Sequence, residues 1–126
     1  GIAPELAAGM RIISFGRDLT AGSGTQSITG WGFTPSGMVL FATSTNGGHC
    51  GSVGVSNGAS SLCVINTAGG ASLNYYKSSF GIYIVSTYDS NYARATIAAT
   101  ADGIDVAWTI GGTMTDSGVV YGFAWR

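Results

Sequence analysis

The chain has 126 residues, 45% of them hydrophobic, and a formal net charge of −1 from five basic and six acidic side chains. Charged residues make up 9% of it, against about 25% in an average soluble domain. That excludes a field able to steer nucleic acid or anionic lipid, leaves little material for general acid–base chemistry, and gives copies of the chain little mutual repulsion.

A chain of this length fits one domain. Gly, Ser, Thr and Ala fill it, with three Trp, six Tyr and five Phe, a composition suited to close-packed strands and tight turns and poorly suited to helices. No apolar run reaches the roughly 18 residues of a membrane-spanning helix. The start of the chain lacks the basic-then-apolar layout of a secretion signal. Residues 1–9 read as an extended apolar arm that carries Ile2, Pro4 and Leu6. Residues 10–126 read as a single domain.

From Met10 the chain reads as strands separated by turn signals. Met10–Leu19 is the first, and Ala21-Gly22-Ser23-Gly24 is the loop after it. Thr25–Gly30 is a short second strand, followed by a corner at Trp31–Gly37 where Pro35 and the glycines break any ladder. Met38–Thr45 is apolar on both faces through Met38-Val39-Leu40-Phe41-Ala42. That is the pattern of a central strand covered on both sides, or of one whose outer face meets a partner. Cys50–Val55 and Ala59–Asn66 form a hairpin around Asn57-Gly58. A two-residue turn there sets Ser52 opposite Cys63 and Cys50 opposite Ile65. The sulfurs are then diagonal, and the expectation is two buried free thiols rather than a disulfide. Leu73–Tyr76 is a short edge strand, and Phe80–Thr87 is strand-like through Gly81-Ile82-Tyr83-Ile84-Val85.

Arg94–Ala101 and Ile104–Ile110 flank Asp102-Gly103, a strong hairpin signal. A two-residue turn pairs Ile97 with Trp108 and Ala99 with Val106, so small alanines face large side chains. A one-residue slip would send Trp108 to solvent. Gly118–Arg126 closes the chain with Val119, Tyr121, Phe123 and Trp125 on one face. Val120, Gly122 and Ala124 on the other permit close approach by another sheet or chain. The expectation is that seven to nine of these segments form short strands and none a helix, with turn signals about every 8–12 residues. The expected fold is all-β: an antiparallel β-sandwich of jelly-roll or immunoglobulin/lectin-like type with an N-terminal arm.

Little here carries chemistry. His49, the one histidine, adjoins Cys50, but zinc needs three or four ligands and no third is in evidence. A nucleophile–base pair needs an orienting group and an oxyanion site, and nothing marks either. Asp102, Asp105 and Asp116 do not have the spacing of a calcium loop. Gly22-Ser23-Gly24 and Gly111-Gly112 lack the helix or lysine of a phosphate cradle. No catalytic, cofactor-binding or metal-binding residue is assigned, and the protein is read as non-enzymatic. Tyr75, Tyr76, Tyr88 and Tyr92 flank turns. With Ile2, Pro4 and Leu6 of the arm they are the candidate interface residues; plain core or surface packing and stacking on a glycan are the alternative uses of such rings.

The run Gln26-Ser27-Ile28-Thr29-Gly30-Trp31-Gly32-Phe33-Thr34-Pro35 resembles a recurrent family of tailed-phage virion proteins. Their signature has an opening strand, a "G-x-G-F-x-P" corner and an apolar strand, here Met38–Thr43. Gly51–Gly58 is similar to the small-residue hairpin that follows, and Ala98, Asp102, Gly103 and Trp108 match an "A-x-x-x-D-G-x-x-x-x-W" hairpin. Val119–Ala124 resembles the last strand. The ordered succession covers most of residues 25–126, and its final hairpin and strand are also similar to the trimeric sandwiches of H-type lectins. The resemblance implies a β-sandwich at the surface of a phage particle, a homotrimer that decorates and cements the head against the major capsid protein. The alternative it implies is a receptor- or glycan-binding module of a tail fibre or spike. It supplies no catalytic residues. Neither nucleic acid nor membrane is an expected partner.

Overall fold

A computed structural model describes residues 9–65, 75–87 and 90–126. Ten strands follow one another: β1 (Met10–Asp18), β2 (Gly24–Ile28), β3 (Gly37–Ser44), β4 (Ser52–Ser56), β5 (Ser61–Ile65), β6 (Tyr75–Ser78), β7 (Ile82–Thr87), β8 (Asn91–Thr100), β9 (Gly103–Gly111) and β10 (Ser117–Trp125). The only helical element among the described residues is a three-residue 3-10 turn at Leu19–Ala21. Most of the arm at residues 1–9, and the loop at residues 67–70, lie outside the described residues. The strand count exceeds the expected seven to nine because even the short β2 and β6 find partners, β9 and β5.

Two antiparallel sheets make the sandwich, one of six strands in the order β1-β10-β3-β4-β5-β6 and one of four in the order β2-β9-β8-β7. The first and last strands are nested, with β1 beside β10 and β2 beside β9, while β3–β6 and β7–β9 run as meanders. The main core lies between the sheets. Met38, Leu40 and Val120 of the larger sheet meet Ile82, Ile84, Ile97, Ile104, Val106 and Trp108 of the smaller one. A second cluster, Cys63, Ile65, Tyr83 and Val85, fills the side where β5 folds over β7. Strand β7 is therefore buried on both faces, which its unbroken apolar run Ile82-Tyr83-Ile84-Val85 requires. Backbone bonds exchanged by Cys50 and Val85, at 2.8 and 2.9 Å, stitch the two sheets together beside it.

Both hairpins keep the faces read from the sequence but shift their partners. Asn57–Ser60 is a four-residue turn, not a two-residue one, so Ser52 faces Ile65 and Gly54 faces Cys63. The cause is the Asn57 side chain, whose Oδ1 accepts from the Ala59 and Ser60 amides at 2.9 and 2.7 Å, an Asx turn. The two cysteines form no disulfide, as expected; Cys63 is buried, but Cys50 is half-buried, against the expectation of two buried thiols. Burial pushes the Cys63 thiol up to about 11. In the second hairpin the turn residues are Ala101-Asp102, so Ala95 faces Trp108 and Ile97 faces Val106. The slip is an even one, and every side chain stays on its predicted face.

The turn moves by one residue because Asp102 is bonded elsewhere. Its carboxylate accepts from the Gly30 and Gly32 amides at 3.0 and 2.8 Å, and its carbonyl accepts from Trp31 N–H at 3.0 Å. Gly30 and Gly32 have φ of 89° and 79°, a left-handed conformation that glycine adopts freely. Their amides make a concave anion nest, and a carboxylate of this chain occupies it. The corner is thereby held so that Trp31 and Phe33 are buried.

Those bonds, led by the Gly32 amide, hold the Asp102 carboxyl below its ordinary value. A depressed folded-state pKa gives stability that is complete above the unfolded-state pKa and lost as pH falls through the folded value. Wild-type protein should therefore lose thermal stability below about pH 4. Asp102→Ala should be less stable at pH 7 and show a shallower acid slope. The slope left in that variant belongs partly to Asp18, whose carboxyl is lowered by bonds from Thr20. Melting curves from pH 2 to pH 7 measure both slopes; equal slopes would refute the clamp.

Candidate interaction surface

The two outward faces of the sandwich differ in kind. On the four-stranded sheet the outward positions of β2, β8 and β9 hold Thr25, Ser27, Thr96, Ala98, Asp105 and Thr109. Ser27 Oγ donates to Asp105 at 2.7 Å. That is an ordinary water-facing surface. On the six-stranded sheet the outward positions are mostly apolar, with Ser14, Asp18 and Thr43 as polar exceptions toward one end. Every large hydrophobic side chain exposed among the described residues lies there: Met10 and Ile12 on β1, Phe41 on β3, Val53 and Val55 on β4, Leu62 and Val64 on β5, and Tyr121, Phe123 and Trp125 on β10.

Strand register arranges these side chains in rows across the sheet. One row runs Ile12, Phe123, Val39, Val55, Leu62, and the next runs Tyr121, Phe41, Val53, Val64. Trp125 starts a third row beside Met10, and its indole lies over Gly37. A Cβ at Gly37 would overlap the ring, so glycine is what lets the indole lie flat on the sheet. The Phe123 and Trp125 rings are 5.9 Å apart. Strand β10 thus turns its large residues outward and its small ones, Val120 and Ala124, into the core, where both are fully buried. Strand β3 also turns Phe41 outward, although it sends the large Met38 and Leu40 into the core.

At about 4.8 Å between strands and about 3.3 Å per residue, the rows from β1 to β5 cover roughly 19 Å by 13 Å. Ile12 is 77% exposed and Tyr121 54%. The ten side chains present on the order of 1,000 Å² of accessible surface, against the few hundred Å² that a monomer normally leaves open. At the end of the face near Trp125 a groove of about 490 Å³ opens between the indole, Val55, Leu62 and the Asn57–Ser60 turn.

Of the interface residues read from the sequence, Ile2, Pro4, Leu6 and Tyr88 lie outside the described residues. Tyr75 and Tyr76 fall in edge strand β6, opposite Ile65 and Val64. Tyr92 is half-buried in the second cluster, its ring 5.7 Å from Tyr83 and its face 4.6 Å from the Arg94 guanidinium. The ten exposed residues of the six-stranded face were not among them. Their signal was present in the two-faced apolar run of β3 and in the aromatic alternation of β10.

His49 is part of a turn. Its Nδ1 is 2.9 Å from Ser44 Oγ, which also accepts from the Asn46 amide at 3.1 Å. Among the described residues no group of three or more His, Cys, Asp or Glu side chains is placed to hold a metal ion. In comparisons with known proteins, no family model, curated protein or solved structure matches the chain.

Proposed function

We propose that this chain is a non-enzymatic structural protein of a phage particle, one that decorates and cements the head by contacts bridging neighbouring subunits. The observation that carries the reading is the apolar outer face of the six-stranded sheet. A soluble sandwich exposing that face alone would bear a large unfavourable contact with water; a protein held among subunits buries it. The scarcity of charge fits the same life, since nothing on the described part of that face resists contact except Asp18 at its far corner. The ordered motifs from Gln26 to Ala124 supply the setting of a virion. A receptor- or glycan-binding tip asks for exposed rings clustered at one end of the sandwich. The exposed rings described here, Phe41, Tyr121, Phe123 and Trp125, are spread over a sheet face instead.

Val53→Glu places a charge in the middle of the face without touching the core, because Val53 points outward. Heads stripped of this protein are incubated with either form and pelleted. Wild type is expected to sediment with the heads, and Val53→Glu to stay in the supernatant although it melts like wild type. Equal loading of the two forms, or no loading of wild type, would overturn the proposal.

A further inference from the structure

We infer that the six-stranded face is covered by the same face of a second copy of this chain, the two sheets stacked about a two-fold axis parallel to the strands. The inference rests on the reading of this face as a subunit contact and names that subunit as a second copy of the chain, so that the pair, not the single chain, is what loads onto a head.

Area comes first. The surface on offer, on the order of 1,000 Å², exceeds the roughly 800 Å² per partner of a standard stable interface. Sheets packed face to face lie about 10 Å apart with their inner side chains interdigitated, and this face is already built as rows of side chains. Charge comes second. A different partner is usually selected by complementary charge, and the rows carry none. An uncharged face is complementary to itself, as an isologous contact demands.

Relief comes third. On β1, the edge strand, Ile12 and Met10 form a ridge of open side chains, 77% and 50% exposed. Past Trp125 the face is hollow, at the groove that runs over Gly37 to Val55 and Leu62. Met10 and Trp125 pair directly, so ridge and groove lie toward the same end of the strands. A two-fold axis along the strands exchanges left and right but keeps that end in place. It therefore sets the β1 ridge of each copy over the groove of the other, twice per pair. An axis across the strands would keep β1 over β1 but exchange the strand ends, so each ridge would meet the Asp18 end of the other copy's β1 and both grooves would stay open. The resulting assembly is a pair rather than the trimer implied by the sequence resemblance.

The test uses the purified full chain with no particle present. Sedimentation velocity at micromolar concentration is expected to give the mass of two chains. Val53→Glu and Ile12→Asp, one at the centre and one on the ridge, should each raise the dissociation constant at least about 100-fold. Thr96→Lys, on the outward face of the other sheet, should leave it unchanged. Circular dichroism melts confirm that all forms are folded. A monomeric wild type, a three-chain mass, or a pair indifferent to Val53→Glu would each overturn the inference. A monomer that still loads onto heads overturns the pairing alone, whereas a pair that never loads overturns the particle reading alone.

Discussion

Trp108→Ala should lower folding stability by about 3–5 kcal/mol, the upper range for a large-to-small core substitution. That is a large share of the about 5–15 kcal/mol that holds a typical domain folded. Trp108 is 2% exposed, and the size of the loss follows from its neighbours. Its cross-strand partners are Ala95 on β8 and Gly24 on β2. Neither has a side chain able to swing into the vacated space, so the cavity stays open, and an uncollapsed cavity costs most. The indole N–H also donates to Gln26 Oε1 at 3.0 Å, and Gln26 Nε2 donates to the Gly16 carbonyl at 2.8 Å. That chain ties β9 through β2 to β1 on the other sheet, and it loses one end with the indole. Urea unfolding of the two forms measures the difference. A loss under about 1.5 kcal/mol would show that the neighbours do collapse.

The same pair of strands shows how far the sequence could be read. Alternation in Arg94–Ala101 and Ile104–Ile110 assigns each side chain to a face, because a strand has a period of two. Alternation does not fix the partner, since moving the turn by one residue leaves the faces untouched. What moved it is the bond from Asp102 to the Gly30 and Gly32 amides, about seventy positions away, and no local pattern contains it. Asn57 is the contrasting case. Its Asx turn is local, and Asn followed by Gly-Ala-Ser is compatible with both a two-residue and a four-residue connection.

The interaction surface was half legible. The apolar pattern of Met38–Ala42 stated that β3 has something on both sides. For β10 the pattern showed a face of large residues and a face of small ones without saying which faces the core. Burial is ordinarily a matter of size, and here size misleads. Val120 and Ala124 face the core because β10 lies between β1 and β3, under the filled space made by Met38, Leu40 and Ile13. The aromatics are left outside. Only the assembled sandwich separates inside from outside, so the surface most relevant to function could be named only once the two sheets were in place.

Gly54→Ala is expected to be as damaging as many core truncations, although it adds a single methyl group. Gly54 sits in β4 between the outward Val53 and Val55, and its own inward side rests on the backbone of Gly81. A Cβ there would overlap the Gly81 carbonyl oxygen and press on the carbonyl carbon at 2.9 Å. Flexible side chains yield to such contacts, and backbone does not. Gly81 is held in turn by its amide bond to the Ala95 carbonyl at 3.0 Å, and it has Ile97 and Leu40 packed against it. The seam between the sheets must therefore open, which puts the loss at or above the top of the about 1–3 kcal/mol usual for overpacking. Gly47→Ala is the matched control, since a Cβ at Gly47 meets nothing within 4 Å; its effect should stay within about 0.5 kcal/mol. A second consequence separates this site from an ordinary core position. Opening the seam pushes β4 outward, and Val53 and Val55 go with it, so the rows of the apolar face no longer lie level. Association of the chain with its partner should weaken even at temperatures where Gly54→Ala is fully folded. Full-strength association in a destabilised Gly54→Ala chain would show that the face tolerates a displaced β4, and that the placement of Val53 and Val55 is not what the partner reads.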